Sequence, residues 1–193
     1  MQNIYSDYYI LYIYYMLFPI KDYEGLYSID ILRMCVWSHT RNKYLSNNVC
    51  NKYYTVNLYK NGICKLHYVH RLLYCAYNNC DIPKDYVIDH INSNGLDNRN
   101  DNLRLATHSE NCANSVISKN NTTGYKNISF LKSKNKYYVQ ISKNGFKHSS
   151  YHTNLMDAVA MSDKIRLCFH KDFTNNGIGS TITPIINDLG EEE

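Results

Sequence analysis

VIDHINSNGLDNRNDNLRLATHSENCANS, residues 87–115, is the stretch on which both the fold and the chemistry of this chain turn. Val87–Ile91 reads as a strand that carries Asp89 and His90 near its end. The Asn, Asp and Gly residues of 92–102 favour turns and left-handed backbone, so they predict a long loop. Leu103–Ala106 reads as a second strand, and Ser109 opens a helix with Glu110 and Asn111 in its first turn. The order strand, loop, strand, helix is therefore expected over a short span of chain.

That order places a polar set where phosphodiester hydrolysis could be performed. The reaction needs a base to activate water, a hard cation to neutralise charge on the phosphate and leaving oxygen, and rigid placement of both. His90 can be the base, Asp89 the anionic ligand and the Asn111 amide oxygen a second ligand. Two protein oxygens completed by phosphate and water suit Mg²⁺ or another hard divalent ion such as Mn²⁺. Neighbours on a regular strand point to opposite faces, so a local bend is expected where Asp89 and His90 serve one phosphate. A calcium loop is excluded. Asn92-x-Asn94-Gly95 mimics part of an EF-hand, but His90 and Asp101 occupy its first and last ligand positions and no helix enters it.

The pattern D-H-I-x-x-N-G, D-N-R, D-N-L-R and E-N across these residues resembles the HNH, or ββα-metal, nuclease motif in the variant found in phage- and intron-encoded homing endonucleases. The resemblance implies His90 as general base, Asp89 and Asn111 as metal ligands, and Asn102 as the loop residue that orients the base. The third family position, often His, is Asn111 here, which argues against tight zinc binding.

Upstream, Tyr53–Tyr59 and Ile63–Tyr68 read as strands joined by Lys60-Asn61-Gly62, a hairpin signal. His70–Asn79 follows as a short amphipathic helix stopped by Asp81-Ile82-Pro83. FPIKDYEGLYSID, residues 18–30, resembles the modular motif that precedes the nuclease in homing endonucleases, although the match weakens after Asp30. Trp37 and the Tyr residues around it are read as core.

Downstream, Tyr125–Leu131, Tyr137–Lys143 and Phe146–Tyr151 are strand candidates, with Asn144-Gly145 as a tight turn. A helix then starts at Asn154, with Asp157 completing a box-like cap and Leu155, Ala158, Ser162, Ile165 and Phe169 at helical spacing. Residues 124–160 resemble the plant ethylene-response-factor type of DNA-binding domain, three strands packed on one helix. Strand alternation turns Ile128, Phe130, Val139 and Ile141 toward the helix. It leaves Asn127, Ser129, Tyr138, Gln140 and Ser142 opposite, rimmed by Lys126, Lys132, Lys143 and Lys147. In that arrangement the lysines would grip phosphates, while Asn127, Tyr138 and Gln140 could meet base edges in a major groove.

The 193 residues, 44% hydrophobic and 20% charged, exclude a mainly disordered chain. The abundance of Asn, Tyr, Ile and Lys partly reports A+T-rich coding. Charge is informative through its distribution: the net +4 conceals an acidic 81–118 between basic flanks, and seven Lys with no acid lie between Lys119 and His152. The seven Cys form no C-x-x-C pair, which excludes a zinc ribbon and fits a reducing intracellular compartment. Tyr8–Phe18 is uncharged but too short and Tyr-rich for a membrane span.

The expected protein is α+β and modular: a Tyr-rich arm (1–17), an upstream module (18–80), the nuclease motif (81–118), a sheet-and-helix reader (119–173) and an acidic tail (174–193). The resemblance implies a metal-dependent homing endonuclease of a mobile element, phage or large DNA virus that hydrolyses double-stranded DNA and nicks one strand, with no membrane and no obligate protein partner. The alternative is a catalytically inactive DNA-binding protein derived from such an element.

Overall fold

A computed structural model describes residues 16–143 and 145–175, and their contacts gather into two compact units, Met1–His108 and Ser109–Glu193. The Tyr-rich arm as far as residue 15, Asn144 of the predicted turn, and the acidic tail from residue 176 lie outside the described residues. No helix among those described is long and apolar enough to cross a membrane, and all seven cysteines are free thiols.

In the first unit, β1 (Leu17–Pro19), β2 (Tyr27–Asp30), β3 (Cys35–Ser38) and β4 (Lys43–Tyr44) form an antiparallel meander. These strands are two to four residues long, too short for alternation to announce them, and the sequence reading missed them. A second sheet follows from β5 (Asn48–Cys50), β6 (Tyr53–Lys60) and β7 (Ile63–Tyr68). Asn61 at φ 52° and Gly62 at φ 76° make the β6–β7 connection. Left-handed backbone at both central residues matches the right-handed twist of the paired strands, which is why Asn-Gly serves here.

Helix α1 (Val69–Asn78) leaves β7 directly and ends where Asn79 turns left-handed at φ 47°, just before the predicted stop. The chain then forms the antiparallel pair β8 (Tyr86–His90) and β9 (Leu103–Thr107), in register from Tyr86 opposite Thr107 to His90 opposite Leu103. Ile29, Val36, Val56, Leu58, Leu73, Ile88 and Leu103 are buried in a single apolar cluster. The boundary expected near residue 80 is therefore not a break in the core: 18–80 and the strands β8 and β9 bury their apolar faces against one another.

Helix α2 (His108–Asn114) lies in the second unit from Ser109 onward, and that unit continues into the antiparallel sheet β10 (Ile128–Leu131), β11 (Lys136–Lys143) and β12 (Phe146–His152). Helix α3 (Leu155–His170) is capped by Asn154, whose Oδ1 accepts from the Met156 N–H at 2.7 Å. The helix can lie close to the sheet because Ala158 and Ser162 are small and fully buried, and the Ser162 hydroxyl donates to the Lys126 carbonyl at 3.0 Å. Ile128, Val139, Ile141, Ala158 and Val159 form its core. Phe130, expected under the helix, is instead 40% exposed and leans on Tyr137, with ring centroids 5.0 Å apart. The whole is α+β, as the sequence implies.

The shared core predicts shared stability. Leu58→Ala, a fully buried truncation on β6, should cost about 2–5 kcal/mol. In hydrogen exchange it should lower protection of β8 and β9 amides together with those of β6. Loss confined to β5–β7 would restore the boundary near residue 80.

Candidate active site

Asp89 and His90 sit side by side on β8 and are both buried, at 3% and 5% exposure. The β8–β9 ladder continues through His90 opposite Leu103, so the bend expected at this strand end is absent from the pairing. The chain turns just afterwards, where Ser93 takes φ 61° and its N–H donates to the His90 carbonyl at 2.8 Å. Regular pleat sends the two side chains to opposite faces, and each has its own surroundings.

On one face, Asp89 lies directly across the ladder from Arg104. Its Oδ2 accepts from Arg104 Nε and Nη2, both at 2.8 Å. On the other, His90 Nε2 is 3.0 Å from Oδ1 of Asn98, itself buried. An amide oxygen only accepts, so Nε2 carries the proton and Nδ1 is the basic nitrogen. The His90 ring packs 5.1 Å from that of His70, edge to face, and 5.7 Å from Tyr53. His70 is buried with Nδ1 lacking a hydrogen-bond partner. Burial, assisted by the charges of His90 and Arg71, pushes its pKa down to about 3. A neutral imidazole therefore backs His90 at ordinary pH.

The loop between the strands is closed by Asn102. Its Oδ1 accepts from the Asn92 N–H at 2.9 Å, while Nδ2 donates to Asn92 Oδ1 at 3.0 Å and to the Asp97 carbonyl at 2.7 Å. Its own carbonyl accepts from the Ile91 N–H at 2.9 Å. Asp97 is gripped at both oxygens by Arg99, each bond 2.9 Å, and its pKa falls to about 2, chiefly through that contact. Gly95 is required by proximity: a Cβ there would stand 2.5 Å from the Lys52 carbonyl oxygen and 2.7 Å from the Tyr53 ring.

Asp89, His90 and Asn102 thus share the first unit, whereas Asn111 lies on α2 in the second. Among the described residues no group of three or more His, Cys, Asp and Glu is poised for a metal.

The predicted DNA-contacting residues divide into two groups. Ser129 and Gln140 are exposed, as are Lys132 and Lys147, and Tyr138 is half-buried with its ring 5.0 Å from that of Tyr151. Lys126 and Lys143, which are half-buried, and Asn127, which is exposed, also make hydrogen bonds within the fold. Lys126 Nζ donates to the Ala113 and Asn175 carbonyls, and Lys143 Nζ to the Phe169 carbonyl. Asn127, left-handed at φ 61°, accepts from Arg166 Nη1 at 2.7 Å and donates to the Gln140 carbonyl.

Asn98, Arg104 and His70 were not singled out from sequence. Arg104 was within reach, because pairing His90 with Leu103 sets an Arg opposite Asp89. Asn98 depends on the path of the loop and His70 on packing of α1, neither of which leaves a local signal.

A polar site of this kind on a strand pair followed by a helix defines a nuclease of the ββα type. The family model described as "HNH endonuclease" matches residues 67–113. Protein 3.8 of Escherichia phage T7 is 37% identical over 95 residues, covering 49% of this chain and 78% of that protein. An uncharacterized HNH endonuclease of Acanthamoeba polyphaga mimivirus is 40% identical over 80 residues, covering 42% of this chain but only 40% of the viral protein. A solved structure titled for DNA binding and cleavage by the HNH homing endonuclease I-HmuI aligns with TM-score 0.47 and 25% identity, over 81% of this chain and 94% of that one. The chain belongs to the HNH endonucleases, enzymes that hydrolyse phosphodiester bonds and generally depend on a divalent metal.

Two measurements probe the scaffold. Asn102→Ala leaves the Asn92 N–H and Asp97 carbonyl without their partner, and should cost about 1–3 kcal/mol in urea denaturation. For His70, folding favours the neutral form because its folded pKa of about 3 is below the ordinary 6.5. Its contribution to stability is complete above that ordinary value and is lost as pH falls from there toward 3. His70→Phe, which keeps a ring, should flatten the stability profile across this window relative to wild type.

Proposed function

We propose that the chain is a DNA endonuclease of a mobile element, phage or large DNA virus, acting on double-stranded DNA with Mg²⁺, or Mn²⁺ in its place. The observation that carries the reading is the pair of buried side chains Asp89 and His90 on β8, with the His90 ring held by a 3.0 Å hydrogen bond to Asn98. His90 is the general base and takes a proton from the attacking water. Asn98 holds the ring and its tautomer, and Asn102 orients the base by fixing the loop that carries Asn98.

Asp89 and Asn111 are the metal ligands. A bound divalent cation would neutralise charge on the scissile phosphate and leaving oxygen. Arg104 holds the Asp89 carboxylate in place through two contacts to Oδ2. The sheet β10–β12 is a DNA reader of ethylene-response-factor type, using Ser129, Tyr138 and Gln140 with Lys132 and Lys147. Residues 18–30 form the associated upstream motif. Free thiols throughout support an intracellular setting. With one base and one ligand set, a single chain nicks one strand.

Purified protein should convert target-bearing supercoiled plasmid to open circle with Mg²⁺ and not with chelator. His90→Ala should lose on the order of 10²- to 10⁴-fold in rate while retaining duplex affinity. Asp89→Ala and Asn111→Ala should shift the metal titration to higher concentration. Duplex binding without metal-dependent cleavage by the wild type would favour a decayed, non-catalytic DNA binder.

A further inference from the structure

Within the second unit, a cavity of about 390 Å³ is lined by Ser109 and Cys112 of α2, by Ser118, and by Lys126, Arg166 and His170. Two of its cations are crowded together: Lys126 Nζ and Arg166 Nη2 donate to the same Ala113 carbonyl and to the same Asn175 carbonyl. His170 completes the wall. It is only 7% exposed, and its Nδ1 has no hydrogen-bond partner.

Positive charge outweighs negative here. Burial, then the Arg166 charge, lowers the Lys126 pKa to about 8. His170 is lowered by burial and by Arg166, Lys143 and Lys126, while Asp163 is the acid that offsets Arg166. Crowding two cations in a half-buried place is unfavourable unless an anion shares it. A phosphate oxygen would accept from Lys126 and from a His170 N–H, and would relieve the repulsion between Lys126 and Arg166.

We infer that this cavity binds a backbone phosphate of the DNA substrate other than the phosphate that is cut. Helix arithmetic separates the two places: Ser109, Cys112 and Ala113 lie on one face of α2, and Asn111, about 200° from Ser109 at 3.6 residues per turn, lies on the opposite face. The proposed metal ligand and the anion cavity therefore occupy two sides of the same helix. Lys126 acts from within the cavity as a register-setting anchor that carries no sequence information. The inference rests on the DNA-nuclease reading.

The test uses the full chain with inorganic phosphate and duplex DNA as probes. Phosphate should raise the melting temperature beyond chloride at matched ionic strength, and this increment should disappear in His170→Phe and Lys126→Met. A duplex oligonucleotide should compete for the same site, followed by ³¹P line broadening of the inorganic ion. Lys126→Met should also reduce the log–log salt slope of duplex binding by about one. Wild-type protein that fails to bind duplex rejects the nuclease reading itself. Wild-type protein that binds and cuts DNA, but gains no stability from phosphate beyond chloride, rejects only the cavity assignment. Phosphate binding that duplex does not displace identifies a free-anion site and rejects the DNA assignment. Since Lys126→Met also removes a bond to α2, His170→Phe supplies the same comparison with the helix contact intact.

Discussion

Everything in the first unit's polar site depends on closure of the loop by the Asn102 amide. The loop joins two adjacent strands, and without a clasp its Asn- and Asp-rich backbone would have many conformations to lose. One buried amide satisfies a backbone N–H, a side-chain oxygen and a carbonyl at once. The loop is thereby fixed in the path that carries Asn98 to His90. A buried histidine needs such a partner, because an unsatisfied imidazole nitrogen costs free energy and a rotating ring cannot direct a proton.

The same loop accounts for the place of the upstream segment in the structure. Gly95 passes against Lys52 and Tyr53 at a distance no Cβ could occupy. His70 and Tyr53 pack on the His90 ring from α1 and β6. Residues that read as an accessory module therefore form a wall against the His90 ring. Burial holds His70 neutral, so this wall places no positive charge beside His90.

The second unit is organised by buried cations rather than by surface ones. Arg166 and Lys126 satisfy carbonyls at the end of α2, where the helix dipole favours positive charge. A tally of lysines along the sequence does not separate these from Lys132 and Lys147, which are exposed. Charge density along the chain was informative, but the assignment of individual lysines depended on which carbonyls α3 and β10 bring near them.

The sequence by itself determined the strand, loop, strand, helix order of 87–114, the Asn-Gly hairpin and the capped helix from Asn154, and it singled out Asp89, His90, Asn102 and Asn111 as candidates. These follow from local rules: side-chain periodicity, left-handed turn residues, capping and a motif of fixed spacing. Tertiary structure alone decided that Asn98 holds the His90 ring, that His70 packs on it, that 18–80 shares a core with β8 and β9, and that Lys126, Asn127 and Lys143 bond to groups within the fold. The physical reason is range. Hydrogen bonding within a turn is set by adjacent residues, whereas burial of a polar group depends on partners that only the packed chain brings together.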